Sequence, residues 1–314
     1  MSSCIIIGAG MAGLSAAKQL QKTNWQVTIL DKGRGVGGRM ATRTLQGTKA
    51  DHGAQFFSAK TTDFQQFVQQ LVTQDIVREW IWVSAMHPRY IGTKGMNTIP
   101  KKMAEGLDIR LNEKVIKIEK KEQWQVSTEA GSSYYADKLM LTAPVPQVVE
   151  LFQNSLIGLT LEEKNILESI EYQPCIAVMA ALKDPVTLPS GRGGVKLINH
   201  PIEWIADNFV KGIALDIPTV TIHASIKYSR ENFDKDLSIV GKELLDMAPE
   251  WIDPTSIISY QTHRWRYSLA SKCYEEPFFA LQNNTLLIGG DAFGMGNVEG
   301  AYLSGLAMAR EIVK

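Results

Sequence analysis

Near its start the chain reads Gly8-Ala9-Gly10-Met11-Ala12-Gly13, a glycine spacing suited to one job, cradling a diphosphate. Gly8 permits a tight turn, Gly10 lets backbone approach the phosphates, and Gly13 lets a helix pack on a strand. Met11 and Ala12 lie in that turn, before a helix whose unsatisfied N–H groups would take the anion. Asp31 follows 18 residues beyond Gly13, placed to accept hydrogen bonds from a ribose diol. Glycine-rich turns are common by themselves. Strand, turn, helix and spaced acid together specify a nucleotide.

A second group separates flavin from nicotinamide binding, since both use this turn. After Asp31 come Lys32-Gly33-Arg34-Gly35-Val36-Gly37-Gly38-Arg39-Met40, with a glycine pair and an arginine about seven residues past the acid. That pairing is a flavoprotein feature: Gly38 can run close to a cofactor and Arg39 can neutralise diphosphate charge. Lys32 and Met40 flank these two as further contact candidates, and Arg34 is equally readable as solvated. The competing reading is a flexible surface loop. A third group is Leu286-Leu287-Ile288-Gly289-Gly290-Asp291, where the acid suits a ribityl hydroxyl. Val298 and Glu299 then lead into a last helix whose N-terminus would stabilise negative charge on a reduced flavin. The alternative here is a capped turn with Asp291 as the N-cap.

These residues need elements to hold them. Residues 4–7 suit a buried parallel strand, 14–22 a helix and 25–30 the next strand, so the chain opens βαβ. Residues 114–119, 124–128 and 138–142 read as an antiparallel meander. Residues 160–169 and 238–247 look helical, and 175–182 and 219–226 strand-like. The end repeats the opening in kind, with strand 285–288, a glycine turn and helix 300–313. The expected fold is α/β: an FAD-binding, Rossmann-like domain of glutathione-reductase type, with an inserted substrate domain of mixed β-sheet plus helices. Expected boundaries are 1–60, 92–150 and 258–314 for the discontinuous FAD domain, and 61–91 and 151–257 for the substrate domain.

Composition excludes other classes. Lys plus Arg equals Asp plus Glu at 33 each, and that balance argues against a nucleic-acid partner, which needs surplus positive charge. No apolar run of about twenty residues exists, so no membrane span is expected. Cys4, Cys175 and Cys273 form no metal-ligand pattern, no metal is expected, and the set reads as reduced and cytoplasmic.

The run 31–43, the segment Asp51-His52-Gly53-Ala54-Gln55-Phe56-Phe57 and the tail GGDAFG…VEGAYLSG resemble the flavin amine oxidase superfamily. Within it, His263-Arg264-Trp265-Arg266-Tyr267-Ser268, Leu141-Thr142-Ala143-Pro144-Val145-Pro146 and the segment from His223 to Arg230 are similar to the renalase group. The resemblance implies non-covalent FAD, hydride transfer to the flavin, oxygen as acceptor with peroxide released, and isomeric dihydronicotinamide dinucleotides as substrates. Amine oxidases and desaturases share the fold, and a non-catalytic flavin-binding sensor is the rival from another class.

Hydride transfer asks for positioning more than for a strong acid or base. Trp265 and Tyr267 alternate with Arg264 and Arg266 along a strand, so the aromatics could stack on a nicotinamide or adenine, or simply pack the core. Arg266 could meet a substrate phosphate or an internal carboxylate, and the internal salt bridge is the safer reading. Gly53, Ala54 and Gln55 lie in a loop expected to reach the flavin, with Gln55 also a pocket candidate. The backbone at Val115 would receive adenine. His223 reads as a satisfied core histidine, Lys196 and Lys227 are the strand-like lysines, and Cys273 is a weak candidate for covalent attachment. Substrate identity and oligomeric state stay open.

Overall fold

The structure is a computed structural model and describes residues 1–80, 87–189 and 193–314. It divides into two compact units, Met1–Gly38 with Pro100–Tyr172 and Ala270–Lys314, and Arg39–Ile99 with Gln173–Leu269.

The first unit is built on a six-stranded sheet. Ser3–Ile7 is a continuous apolar run, and Cys4, Ile5 and Ile6 are all buried, as a parallel strand covered on both faces requires. Gln26–Asp31 lies beside it in parallel with Asp108–Leu111 beyond, while Lys138–Leu141 lies on its other side, followed by Leu286–Ile288. Phe279–Leu281 adds an antiparallel edge. The chain thus builds outward from Ser3–Ile7 in one direction, then returns to build in the other. That reversal leaves a crevice at the carboxyl ends of Ser3–Ile7 and Lys138–Leu141.

Lys138–Leu141 corrects the sequence reading, which gave these residues to the meander. The meander is Val115–Lys120, Trp124–Thr128 and Ser133–Ala136. Its third strand, with Ser133 and Tyr135 exposed, pairs as an edge directly after a polar turn. Helix Val145–Ser155, not expected from the sequence, packs Val148, Leu151 and Phe152 into one core with Trp124 and Val126. Leu167 and Ile170 join that core, which is why residues 151–172 fall in this unit rather than in the expected substrate domain.

Helices Met11–Leu20 and Val298–Val313 meet backbone to backbone. A Cβ at Gly305 would lie 2.1 Å from the Ala12 carbonyl oxygen and 2.1 Å from Ser15 Oγ. Ser15 Oγ donates to the Tyr302 carbonyl at 2.9 Å, tying the first helix to the last.

The second unit centres on the sheet Gly194–Lys196, Ile202–Asp207, Thr219–Ala224, Glu171–Leu182 and Ile257–Lys272, in that order. Period-two alternation sorts one strand to two cores. Ile176, Val178 and Ala180 pack with Val240 and Leu244 of helix Leu237–Asp246. Met179 and Ala181 pack instead with Leu45 and Ala50 of the hairpin Thr42–Leu45 and Thr48–Asp51. Thr219 Oγ1 donates to the Lys49 carbonyl at 2.6 Å, and Thr48 Oγ1 to the Ile217 carbonyl at 2.8 Å. These ties place 39–60 here, against the expected FAD domain. Residues 92–99 follow because Met96 N donates to Asp51, and 258–269 because they belong to the sheet. A smaller sheet, Val77–Glu79, Arg89–Gly92 and Phe57–Ser58, and helix Thr62–Thr73 complete the unit with helix Ile226–Glu231. Lys227 is on that last helix, not on a strand.

Gly305→Ala should cost about 1–3 kcal/mol through overpacking, read as a lowered urea midpoint. Gly158→Ala, where an added Cβ meets nothing within 4 Å, should stay within about 0.5 kcal/mol. Equal effects at both positions would refute the close helix contact.

Candidate functional site

Crowding fixes the glycine turn of the first unit. Gly8 has φ +113, and a Cβ there would lie 2.5 Å from Thr142 Oγ1. That hydroxyl lies 3.0 Å from the Ile7 carbonyl oxygen and 3.1 Å from that of Gly8, and its proton bridges the two sides of the crevice. A Cβ on Gly13 would stand 1.9 Å from the Gly8 oxygen, so the helix begins where no side chain fits.

Gly10 differs. It is the extended N-cap of Met11–Leu20, carries no capping side chain, and has nothing within 4 Å of an added Cβ. The first turn holds no acidic residue. Uncapped N–H groups of Met11, Ala12 and Gly13 beside open space suit a diphosphate.

Asp31 holds the turn together. Its Oδ2 accepts from Ala9 N and its Oδ1 from Gly33 N, each at 2.6 Å. One carboxylate therefore staples the glycine turn to the following loop, with lone pairs left for a diol. Gly37 N donates to the Ala9 carbonyl at 2.8 Å, and Gly38, with φ +54, is exposed beside Gly10. Lys32 is exposed and donates to Gln147, and Arg34 is exposed. Val115 starts its strand half-buried.

At the far end of the chain, Gly290 N donates to Ser304 Oγ at 2.9 Å and Gly296 N to the Asp291 carbonyl at 2.8 Å. Asp291 is not the cap of the last helix. Asn297 is: its Oδ1 accepts from Gly300 N at 2.8 Å, and Val298 and Glu299 form the first turn of the helix. Burial first, and Asp291 after it, raise the Cys273 thiol, so that sulfur is a poor nucleophile.

The second unit holds a buried polar centre that the sequence reading did not find. Lys211 and Asp51 have wholly buried side chains, with Nζ 2.8 Å from Oδ2. Asp51 Oδ1 accepts from Thr42 Oγ1 at 2.6 Å and Met96 N at 2.9 Å. Lys211 Nζ also donates to Gln55 Oε1 at 3.3 Å. Gln55 Nε2 donates to the carbonyls of Asp51 and Gly53, at 2.8 and 3.1 Å. The Gln55 amide is therefore turned inward, a correction to its reading as an amide open to ligand.

With both Gln55 N–H groups used, His223 Nε2 is best assigned a hydrogen, donated to the His52 carbonyl at 3.3 Å. Trp265 Nε1 donates to the same oxygen at 2.9 Å. The Trp265 indole stacks on His52, ring centroids 5.3 Å apart, and meets His263 edge-on at 4.4 Å. Tyr267 is half-buried, and its carbonyl accepts from Arg39 Nη1 at 3.1 Å. Met40 is buried, Ala54 N donates to the Arg39 carbonyl at 2.9 Å, and a Cβ at Gly53 would lie 1.9 Å from that oxygen. Arg266 lies over the Phe233 ring at 4.5 Å, a cation–π contact in place of the expected salt bridge. Lys196 is exposed, 3.5 Å from Glu203.

The expected contacts thus divide between the units. Gly8, Gly10, Met11, Ala12, Gly13, Asp31, Lys32, Gly38, Val115, Asp291, Val298 and Glu299 lie in the first, and Arg39, Met40, Gly53, Ala54, Gln55, Trp265 and Tyr267 in the second. Among the described residues no His, Cys, Asp and Glu group could hold a metal, and no helix is long and apolar enough to cross a membrane.

Residues 6–71 match the NAD(P)-binding Rossmann-like domain, and 73–313 match the flavin containing amine oxidoreductases. Mouse (Mus musculus) renalase is 26% identical, over 99% of this chain and 98% of its own. Two solved structures share the fold. One, described as a protoporphyrinogen oxidase from Exiguobacterium sp. 255-15, has TM-score 0.77 at 13% identity, covering 99% of this chain and 98% of that one. The other, putrescine oxidase bound to putrescine, has TM-score 0.76 at 15% identity, covering 99% of each.

Burial is the main cause holding His52 at about 3 and His223 at about 4, against an ordinary 6.5. Neighbouring charge adds to it, from His263 and Arg43 on His52 and from Lys211 on His223. The unfolded chain binds more protons below 6.5, so the stability held by uncharged imidazoles is complete above that pH and is lost on acidification. Between about pH 7 and pH 5 each should cost roughly 2 kcal/mol, seen in urea melts. His223→Gln should flatten the slope by its share; an unchanged slope would mean that this imidazole does not stay neutral in the folded state.

Proposed function

The chain belongs to the flavin containing amine oxidoreductase family, and from that premise we propose that it is a renalase-like oxidase using non-covalent FAD. Its substrates would be reduced nicotinamide dinucleotides with the hydride at an aberrant ring position, the 2- and 6-dihydro isomers. Oxygen would be the final acceptor and peroxide the product. Bound FAD would supply two-electron chemistry, taking a hydride from substrate and returning the electrons to oxygen.

The residues would divide the work as follows. The N–H groups of Met11, Ala12 and Gly13 would hold the diphosphate, with Gly10 giving access and Gly8 the turn. Asp31 would take the ribose diol, and backbone at Val115 the adenine. Lys32 and Gly38 would flank the diphosphate, and Arg39 would offset its charge. Asp291 would take a ribityl hydroxyl, and the N–H groups of Val298 and Glu299 would face the pyrimidine edge. Met40, Gly53, Ala54 and Gln55 would contact the ring through backbone and apolar surface.

The observation that carries the oxidase reading is the set of fixed charge states in the second unit. Lys211 is paired with Asp51, and burial makes His52 and His223 weak bases. Such a site orients and desolvates without abstracting a proton, which is what a dihydronicotinamide asks, since it gives up hydride directly. Trp265 and Tyr267 would offer planar surface to its rings. Similarity to renalase over nearly the full chain supports the same reading.

Anaerobic stopped-flow mixing of the yellow protein with NADH, its 2- and 6-dihydro isomers and a panel of amines tests it. Rapid loss of the visible flavin band with the isomers alone is expected. Bleaching by amines alone would replace this reading with an amine oxidase. Trp265→Ala should raise KM for the isomers about 10- to 100-fold, the scale of lost ring stacking, in steady-state peroxide assays.

A further inference from the structure

We propose that Lys211 is a positioning residue for the cofactor-contact loop 51–55. It would act through Asp51 and Gln55, both of which it binds. The inference rests on the reading of Gly53, Ala54 and Gln55 as flavin contacts.

Stability alone is a weak reason for such a group. Desolvating an ammonium and a carboxylate costs much of what their attraction returns, and apolar side chains of similar size often serve a core as well. Lys211 is nonetheless wholly buried, and its ammonium reaches one short loop at two points, Asp51 Oδ2 and Gln55 Oε1. The local chain is shaped to deliver it. Asp207 Oδ1 accepts from Phe209 N and Val210 N, Lys211 N donates to the Asp207 carbonyl, and Arg78 Nη2 donates to the Lys211 carbonyl at 2.6 Å.

The loop's remaining polar atoms are then fixed in a chain. Thr221 Oγ1 donates to the Asp51 carbonyl at 2.8 Å and accepts from Asn208 Nδ2 at 2.9 Å. Trp265 and His223 both donate to the His52 carbonyl. Removing the ammonium orphans Asp51 Oδ2 and Gln55 Oε1 together, and the loop loses the cation that ties its two ends. A lysine joined to both ends of the loop sets where Gly53 and Ala54 present their backbone.

The test compares Lys211→Met, Asp51→Asn and the double variant, each as the flavin-loaded protein. Urea melts give stability, and visible circular dichroism with the flavin dissociation constant gives cofactor placement. Each single variant should be destabilised. The double variant, with no orphaned charge, should regain most of that stability. Its flavin dichroism should stay altered and its flavin dissociation constant stay raised about tenfold, as expected of a misplaced contact loop. If dichroism and flavin affinity recover together with stability, the pair is only structural and the inference falls. Where Lys211→Met does not fold, the double variant decides alone. A colourless wild-type protein would overturn the cofactor reading itself, a result distinct from a yellow double variant that matches wild type.

Discussion

The Gly8 carbonyl and the start of helix Met11–Leu20 approach each other so closely that a single Cβ on Gly13 would collide at 1.9 Å. The first unit is organised around that contact. Because helix and strand touch through backbone, the helix N-terminus lies at the crevice where the strand order reverses, and its N–H groups point at open space. Thr142, just past the end of strand Lys138–Leu141, closes the other side from more than a hundred residues later. Asp31 joins the turn to the following loop through both carboxylate oxygens. The proposed anion site would thus be assembled from backbone, with side chains mainly holding that backbone in place.

The second unit solves a different problem. Its sheet is apolar on both faces of Glu171–Leu182, yet an ion pair, a glutamine and the His52 imidazole are buried beside it, with His223 half-buried at their edge. Such a cluster persists only if its donors and acceptors are matched. The pairing around residues 51–55 is close to complete: carbonyls of Asp51 and His52 each take two donors. His52 Nδ1 is the exception, buried with no hydrogen-bond partner, and its ring is kept neutral by that same burial.

What the sequence made legible was what is local in the chain. Glycine spacing, the acid at residue 31 and the last glycine-rich turn are near-neighbour patterns, and they led to the family and the fold. Boundaries were harder, because Leu167 and Ala50 join cores whose other members lie far away in sequence. The Ser133–Ala136 strand was missed because it runs straight out of the polar turn before it, with only an edge to pair on. Lys211 was missed for a sharper reason: its partner is 160 positions away, and nothing near it in the chain marks it as buried. The lysines with strand-like surroundings in sequence, Lys196 and Lys227, are one exposed and one helical.

The dryness of Lys211 also gives the molecule a built-in reporter. An ammonium sealed from water and held by a carboxylate cannot meet an amine-reactive reagent while the loop 51–55 is closed. Exposed lysines such as Lys164 and Lys242 acylate from the folded state, whereas Lys211 acylates only from chains in which this region has opened. Its labelling rate therefore measures a local opening equilibrium, one that no exposed lysine reports.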